Sequence, residues 1–241
     1  MDRSASPRSV QWHEAQDANA LAAALSKHMQ QLSLGALNER GVARIGLAGG
    51  STPMAAYADF AASAMPWPQV QLVLIDERFV PLSDSQSNEA NIAAAFAEVK
   101  NRLASWQGLY QAADSIVRAA TLADTAIRQF GLPLDATVIG MGTDGHIASL
   151  FVESADFAAA VDAVDPPTVM PIRFAAGDGK TDRLSFSLPA LLQTRHAVFC
   201  ITGTDKRDIL QGCLDGSTPH MAAARFLARF TGPVEIFWSP A

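Results

Sequence analysis

The chain is poor in cysteine and in charge. It has two cysteines, Cys200 and Cys213, in 241 residues. Two are far too few for a disulfide framework, and no histidines or carboxylates cluster beside them as a structural metal site would require. Cys200 lies in an apolar run and reads as core packing. Charged residues make up only 17%, and acids outnumber bases to give a formal net charge of −6. An acidic molecule offers no general attraction to nucleic acid or to an anionic membrane, so any anion must be held by a local site. No run approaches the roughly 18 apolar residues of a transmembrane helix. The opening Met1-Asp2-Arg3-Ser4-Ala5-Ser6-Pro7-Arg8-Ser9 lacks the apolar centre of a signal peptide. Three signatures are missing as well: the Gly-Lys-Ser/Thr of a P-loop, the spaced glycines of a dinucleotide fingerprint, and a Gly-x-Ser-x-Gly elbow. The expectation is a reduced, cytoplasmic protein without a structural metal.

What the chain does have is apolar residues, at 49%, ample for a sizeable core. No low-complexity linker divides it, so residues 1–241 read as a single domain. Residues 1–10 are polar and read as loose until the chain joins the core. Leu21, Leu25, Met29 and Leu32 recur at helical spacing and predict a helix over 14–34, punctuated by Gly35. His13, just ahead of that helix, and His28, within it, read as surface residues of this first helical region. Further helices are expected over 88–99 and 115–130, and after Lys206. The last helix is expected to start at Gly216-Ser217-Thr218-Pro219 and to run to about 230. Apolar runs predict strands over 42–48, 70–75, 136–139, 196–201 and 234–238, with a short one at 169–172. Arg183 to Leu188 alternates polar and apolar residues, a strand with one buried face. Residues 100–113 stay unassigned, and 152–168 read as a surface excursion with one short helix. Strands alternating with helices argue for a mostly parallel sheet covered on both faces.

Four of these strands end in polar, glycine-bearing or charged turns. In open α/β sheets that is where ligands bind. The first turn is Gly49-Gly50-Ser51-Thr52-Pro53, with Pro53 suited to the first helical position and Thr52 to the cap. A helix start of this kind holds a single phosphate or carboxylate. The second is Asp76-Glu77-Arg78, three charges flanked by Ile75 and Phe79. The third is Ile139-Gly140-Met141-Gly142-Thr143-Asp144-Gly145-His146, where a carboxylate and an imidazole share one glycine-rich loop. The fourth is Thr202-Gly203-Thr204-Asp205-Lys206, whose lysine lies at a helix start that disfavours a cation unless an anion is bound. Ser149 reads as a packing or loop hydrogen-bonding residue, since no elbow surrounds it.

In order and spacing, Ala48-Gly49-Gly50-Ser51-Thr52-Pro53, then Asp76-Glu77-Arg78-Phe79-Val80-Pro81 with Ser87-Asn88-Glu89-Ala90-Asn91, then Ile139 to Phe151 resemble the glucosamine-6-phosphate isomerase/6-phosphogluconolactonase family over nearly the whole chain. The resemblance implies a Rossmann-like three-layer α/β/α fold. It favours the lactonase branch, which hydrolyses 6-phosphogluconolactone in the pentose phosphate pathway without metal or cofactor. It implies His146 as base, Asp144 beside it as orienter or substrate contact, and Arg78 at the lactone or its developing negative charge. It places substrate on Gly49, Gly50, Ser51, Thr52, Asp76 and Gly142, with Arg183 and Lys206 as the matching downstream cations. The implied partner is a sugar-phosphate lactone, bound by a monomer or weak homodimer. Two segments depart from the family pattern. Val152 stands where proline is usual, and Phe174 to Lys180 replaces a Lys/Pro-rich stretch. Two other readings remain. The deaminase/isomerase branch normally has a glutamate five residues after its histidine; here that residue is Phe151. A non-catalytic sugar-phosphate sensor on the same fold would bind without turnover.

Overall fold

Runs of apolar residues without alternation form strands that are buried on both faces, and here they form the middle of one sheet. The computed structural model describes residues 9–176 and 178–240. In chain order its first half holds β1 (Val10–Glu14), α1 (Ala18–Arg40), β2 (Ala43–Leu47), α2 (Met54–Ala61), β3 (Val70–Leu74), β4 (Asp76–Arg78), α3 (Asn88–Ala95), β5 (Ser105–Gln107) and α4 (Ile116–Phe130). The second half holds β6 (Leu134–Ile139), α5 (Phe157–Val161), β7 (Val169–Ile172), β8 (Arg183–Phe186), α6 (Leu188–Leu191), β9 (Thr194–Thr202), α7 (Thr204–Asp215), α8 (Ala222–Arg229) and β10 (Val234–Ser239). Seven strands form a wholly parallel sheet in the order β1-β10-β9-β6-β2-β3-β5. Every residue of β6 is buried, so helices must cover both sides of the sheet. The fold is the layered α/β architecture expected from the sequence.

The strand order creates the site. From β2 the chain steps outward to β3, while from β6 it steps the other way to β9. The carboxyl ends of the adjacent strands β2 and β6 therefore flank a topological switch point, the place where doubly wound sheets bind ligands. A second, antiparallel sheet in the order β4-β8-β7 sits beside it. Ile75 joins the two. Its N–H bonds Leu47 in the large sheet, at 3.1 Å, and its carbonyl accepts from Phe186 in the small one, at 2.8 Å. One chain segment thus leaves the parallel sheet at the switch point and carries Asp76 and Arg78 across the opening.

Several boundaries differ from the sequence expectation. Residues 10–14 form β1 rather than loose chain or helix, so His13 stands on a strand, with its Nε2 2.5 Å from Glu235 Oε2. His28 is half-buried against Phe237, and its Nε2 is enclosed without a partner. Helix α1 runs through Gly35 to Arg40. A β-carbon at Gly35 would meet nothing within 4 Å, and the stop comes at Gly41, with φ 72°. Pro53, not Thr52, is the residue before α2, and no side chain caps that helix. Strand β8 is buried on both faces beyond Arg183: α4 packs on the small sheet, so the alternation does not mark an open face. Gly216 to Pro219 do not start the last helix; α8 begins after Met221. Thr218 instead turns back to bond the Cys213 sulfur at 3.3 Å.

Candidate active site

Five segments converge at the switch point on a cleft of about 240 Å³. That is near the lower end of ligand-pocket volumes and suits a small polar molecule. The turn after β2 supplies Gly49, Gly50, Ser51 and Thr52. The segment through β4 supplies Asp76 and Arg78, and the start of β8 supplies Arg183. The loop after β6 supplies Gly142 and His146, and the first turn of α7 supplies Lys206. Of the residues expected at the site, all but Asp144 line this cleft.

Asp144 stands behind the imidazole instead. Its Oδ1 is 2.5 Å from His146 Nδ1 and also accepts the His146 backbone N–H at 3.3 Å. Burial works to raise the Asp144 carboxyl. The hydrogen bond and charge of His146, with nearby backbone amides, outweigh it and bring the carboxyl down to about 2. Asp144 is therefore an anion throughout the neutral range. The loop is a tight hairpin in which Gly142 N–H bonds His146 O at 3.0 Å and Gly145 N–H bonds Gly142 O at 3.1 Å. A β-carbon on Gly142 would lie 2.3 Å from the imidazole. Glycine is thus required there by the ring that the loop presents.

The other face of the imidazole lies on Phe151, with ring centroids 3.9 Å apart. Phe151 is 7% exposed. It also carries the Arg183 guanidinium, 5.2 Å from its ring centre, and packs edge-on to Phe174. Lys180 reaches over the same two rings and pairs with Glu153. One aromatic ring thereby sets the position of both the imidazole and an arginine.

The charges of Asp76-Glu77-Arg78 divide into three roles. Glu77 is fully buried and accepts from the Arg78, Asn88 and Glu89 amides and the Ser87 hydroxyl, at 2.6 to 3.0 Å. Burial pushes its carboxyl up, and these bonds oppose the push. An acceptor at the start of α3 satisfies amides that the helix leaves open. Asp76 accepts from Ser149 Oγ at 2.7 Å, which gives Ser149 the hydrogen-bonding role expected of it. Arg78 donates to Gln86 O at 2.6 Å. It lies directly opposite Arg183 in the β4–β8 ladder. Burial lowers the Arg183 guanidinium from its ordinary value; Asp76 and Glu77 act against that, and Arg78 adds to it. Two arginines side by side, with Lys206 across the cleft, make a cationic pocket in an acidic molecule.

Sequence reasoning missed Asn88 and Phe151 as site-shaping residues. Asn88 lines the cleft and donates to Asp76 O at 3.1 Å. It packs so closely on the first turn that a β-carbon on Gly49 would fall 2.1 Å from its amide. Its place in the motif Ser87-Asn88-Glu89-Ala90-Asn91 was the signal that could have found it. The Gly49→Ala variant should displace this turn, which forms a wall of the cleft, and lower kcat/KM by about tenfold or more, since small displacements within a site are costly. Steady-state kinetics check this, and an unchanged kcat/KM would refute it. Cys200 also borders the cleft, yet it is 2% exposed and burial pushes its thiol up to about 12. Such a thiol is a poor nucleophile. Ellman's reagent at pH 8 should find Cys200 unreactive in the native protein and accessible in denaturant.

Fold and cleft together define a doubly wound α/β protein with an imidazole-bearing, cationic pocket at its strand ends. The chain belongs to the family of glucosamine-6-phosphate isomerases/6-phosphogluconolactonase, whose model matches residues 16–238. It is 34% identical over 232 residues to a 6-phosphogluconolactonase of Mesorhizobium japonicum, covering 96% of each chain. It is also 34% identical to one of Rhizobium meliloti, over 96% of this chain and all of the relative. A crystal structure of a 6-phosphogluconolactonase from Shewanella baltica superposes with a TM-score of 0.85 at 25% identity, covering 98% of this chain and 99% of the other.

Proposed function

We propose that the chain hydrolyses 6-phospho-D-glucono-1,5-lactone to 6-phospho-D-gluconate, as a cytoplasmic enzyme of the pentose phosphate pathway. The observation that carries this reading is the convergence of His146 with Arg78, Arg183 and Lys206 on one small cleft beside the 49–52 turn. The lactone is an activated ester, so its hydrolysis needs a base for water and a counter-charge for the oxyanion. His146 takes a proton from water as the water oxygen bonds to C1. The tetrahedral oxyanion forms facing Arg78. Its collapse breaks the C1–ring oxygen bond, and His146 returns the proton to the ring oxygen, which becomes the 5-hydroxyl. Asp144 holds Nδ1 from behind and supports the imidazolium, as a carboxylate does in hydrolase triads. The phosphate rests on Gly49, Gly50, Ser51 and Thr52 at the start of α2, with Arg183 and Lys206 supplying charge. Asp76 and Gly142 face the sugar. No metal or cofactor has a part in these steps.

The test is 6-phosphogluconate formation by the purified protein, measured above the spontaneous hydrolysis of the lactone. Release of ammonia from glucosamine 6-phosphate with the lactone left untouched would overturn the reading in favour of the deaminase branch. Binding of the sugar phosphate without turnover of either compound would make the chain a sensor.

A further inference from the structure

The hairpin that carries Asp144 and His146 fixes its own shape through its internal hydrogen bonds, but these do not fix its tilt against the rest of the molecule. Thr143 and Asp144 at its tip are exposed, whereas Gly145 is buried. What covers Gly145 is the connection between α7 and α8. A β-carbon built on Gly145 would lie 2.4 Å from the Met221 sulfur and 2.7 and 2.8 Å from its Cγ and Cβ, so the whole thioether arm lies along this glycine. Gly145 has φ 74°, which the turn requires and which glycine adopts without strain. Two residues on, the Ala223 N–H donates to Gly145 O at 3.0 Å. Helix α8 has no side-chain cap, so the carbonyl of the hairpin satisfies one of its open first-turn amides. Met221 is itself held from behind, with its sulfur 3.9 Å from Cys213 Sγ, which in turn takes the Thr218 hydroxyl.

We propose that Met221 is a positioning residue for the reaction: with the Ala223 amide it seats the 141–147 hairpin so that His146 faces the cleft. Gly145 and His146 are consecutive, so a rotation at the seat turns the imidazole and draws it from its place between Asp144 and Phe151. An unbranched thioether fits this role because it follows the contour of a bare Cα without a branch to clash. The proposal rests on the reading of His146 as the base.

Met221→Ala should lower kcat by about tenfold with KM within about twofold, because a misaimed base slows the chemical step and leaves the phosphate grip intact. Met221→Leu, which restores the length of the arm, should recover most of the loss. Ala223→Pro removes the N–H while placing proline in the first helical turn, where it is tolerated, and should show the same kcat-selective loss. All are measured at a temperature where circular dichroism shows each variant fully folded. The imidazole 1H–15N signals of His146 should shift in Met221→Ala and return in Met221→Leu. Wild-type kcat and unshifted ring signals in Met221→Ala would overturn the proposal, as would a kcat loss that disappears on cooling. If the wild type fails to hydrolyse the lactone, the functional reading falls, and the ring signals alone decide whether Met221 seats the hairpin.

Discussion

Replacing His146 by alanine should lower kcat for lactone hydrolysis by about 10²-fold or more, with KM within about twofold of the wild type. The asymmetry follows from geometry. The imidazole faces the cleft beside Gly142, while the cations that would hold phosphate come from other segments, so its removal takes away a base and spares the grip. The residual rate should approach the spontaneous reaction, which sets the floor of the assay. Phe151, which loses the imidazole from one face, still packs on Phe174 and Arg183, so the fold should survive, and thermal unfolding checks this. A second consequence concerns acid. The Asp144 carboxyl lies below its ordinary 3.8, at about 2. Stability linked to that group is present above the ordinary value and is lost only as pH falls through about 2. A loss of activity on acidification above about pH 4 therefore does not come from protonation of Asp144. A kcat for His146→Ala within threefold of wild type would remove the imidazole from the mechanism.

Replacing Arg183 by methionine should raise KM by about tenfold to a hundredfold, the worth of hydrogen bonds to a charged group, without lowering the unfolding temperature. Arg183 and Arg78 are register partners in adjacent strands, and like charges directly opposite each other are destabilising. Asp76 offsets part of that repulsion, but burial of the Arg183 guanidinium adds to its cost. Methionine keeps the unbranched stem that packs on Phe151 and discards the charge. Inorganic phosphate should raise the unfolding temperature of the wild type, because a ligand that binds only the folded state stabilises it. In Arg183→Met that shift should shrink or vanish. A variant with unchanged KM and an unfolding temperature several degrees lower would make Arg183 a structural residue.

The core of the fold was legible because β2, β3, β6 and β9 are buried on both sides, and such strands announce themselves as unbroken apolar runs. Strand β1 was not. Val10-Gln11-Trp12-His13-Glu14 is an edge strand with exposed residues, and the strand it pairs with, β10, lies at the far end of the sequence. Helix α1 was cut short at Gly35 because glycine weakens a helix, yet this one faces open space and is carried by the buried residues on the opposite side. The alternation of Arg183 to Leu188 suggested an open face, which packing covers in the folded chain. At the site, the strand ends pointed to the residues with open chemistry, His146, Arg78, Arg183 and Lys206. Two supporting contacts, Asn88 against Gly49 and Met221 against Gly145, were invisible because they join segments far apart in sequence; Phe151 stands only five residues after His146, but its stacking depends on how the loop folds back.

The edge position of β1 has a consequence for synthesis. Val10 pairs with Val234, so a ribosome releases β1 on the order of 200 residues before the strand that receives it. At elongation rates of about 5–20 residues per second, that is a wait of roughly ten to forty-five seconds. Throughout it the strand that receives this segment has not been made. Gln11, His13 and Glu14 make it a poor template for another nascent chain, as the charges of protected edge strands do. The polarity that hides this strand from a reader of the sequence also keeps it single until β10 arrives.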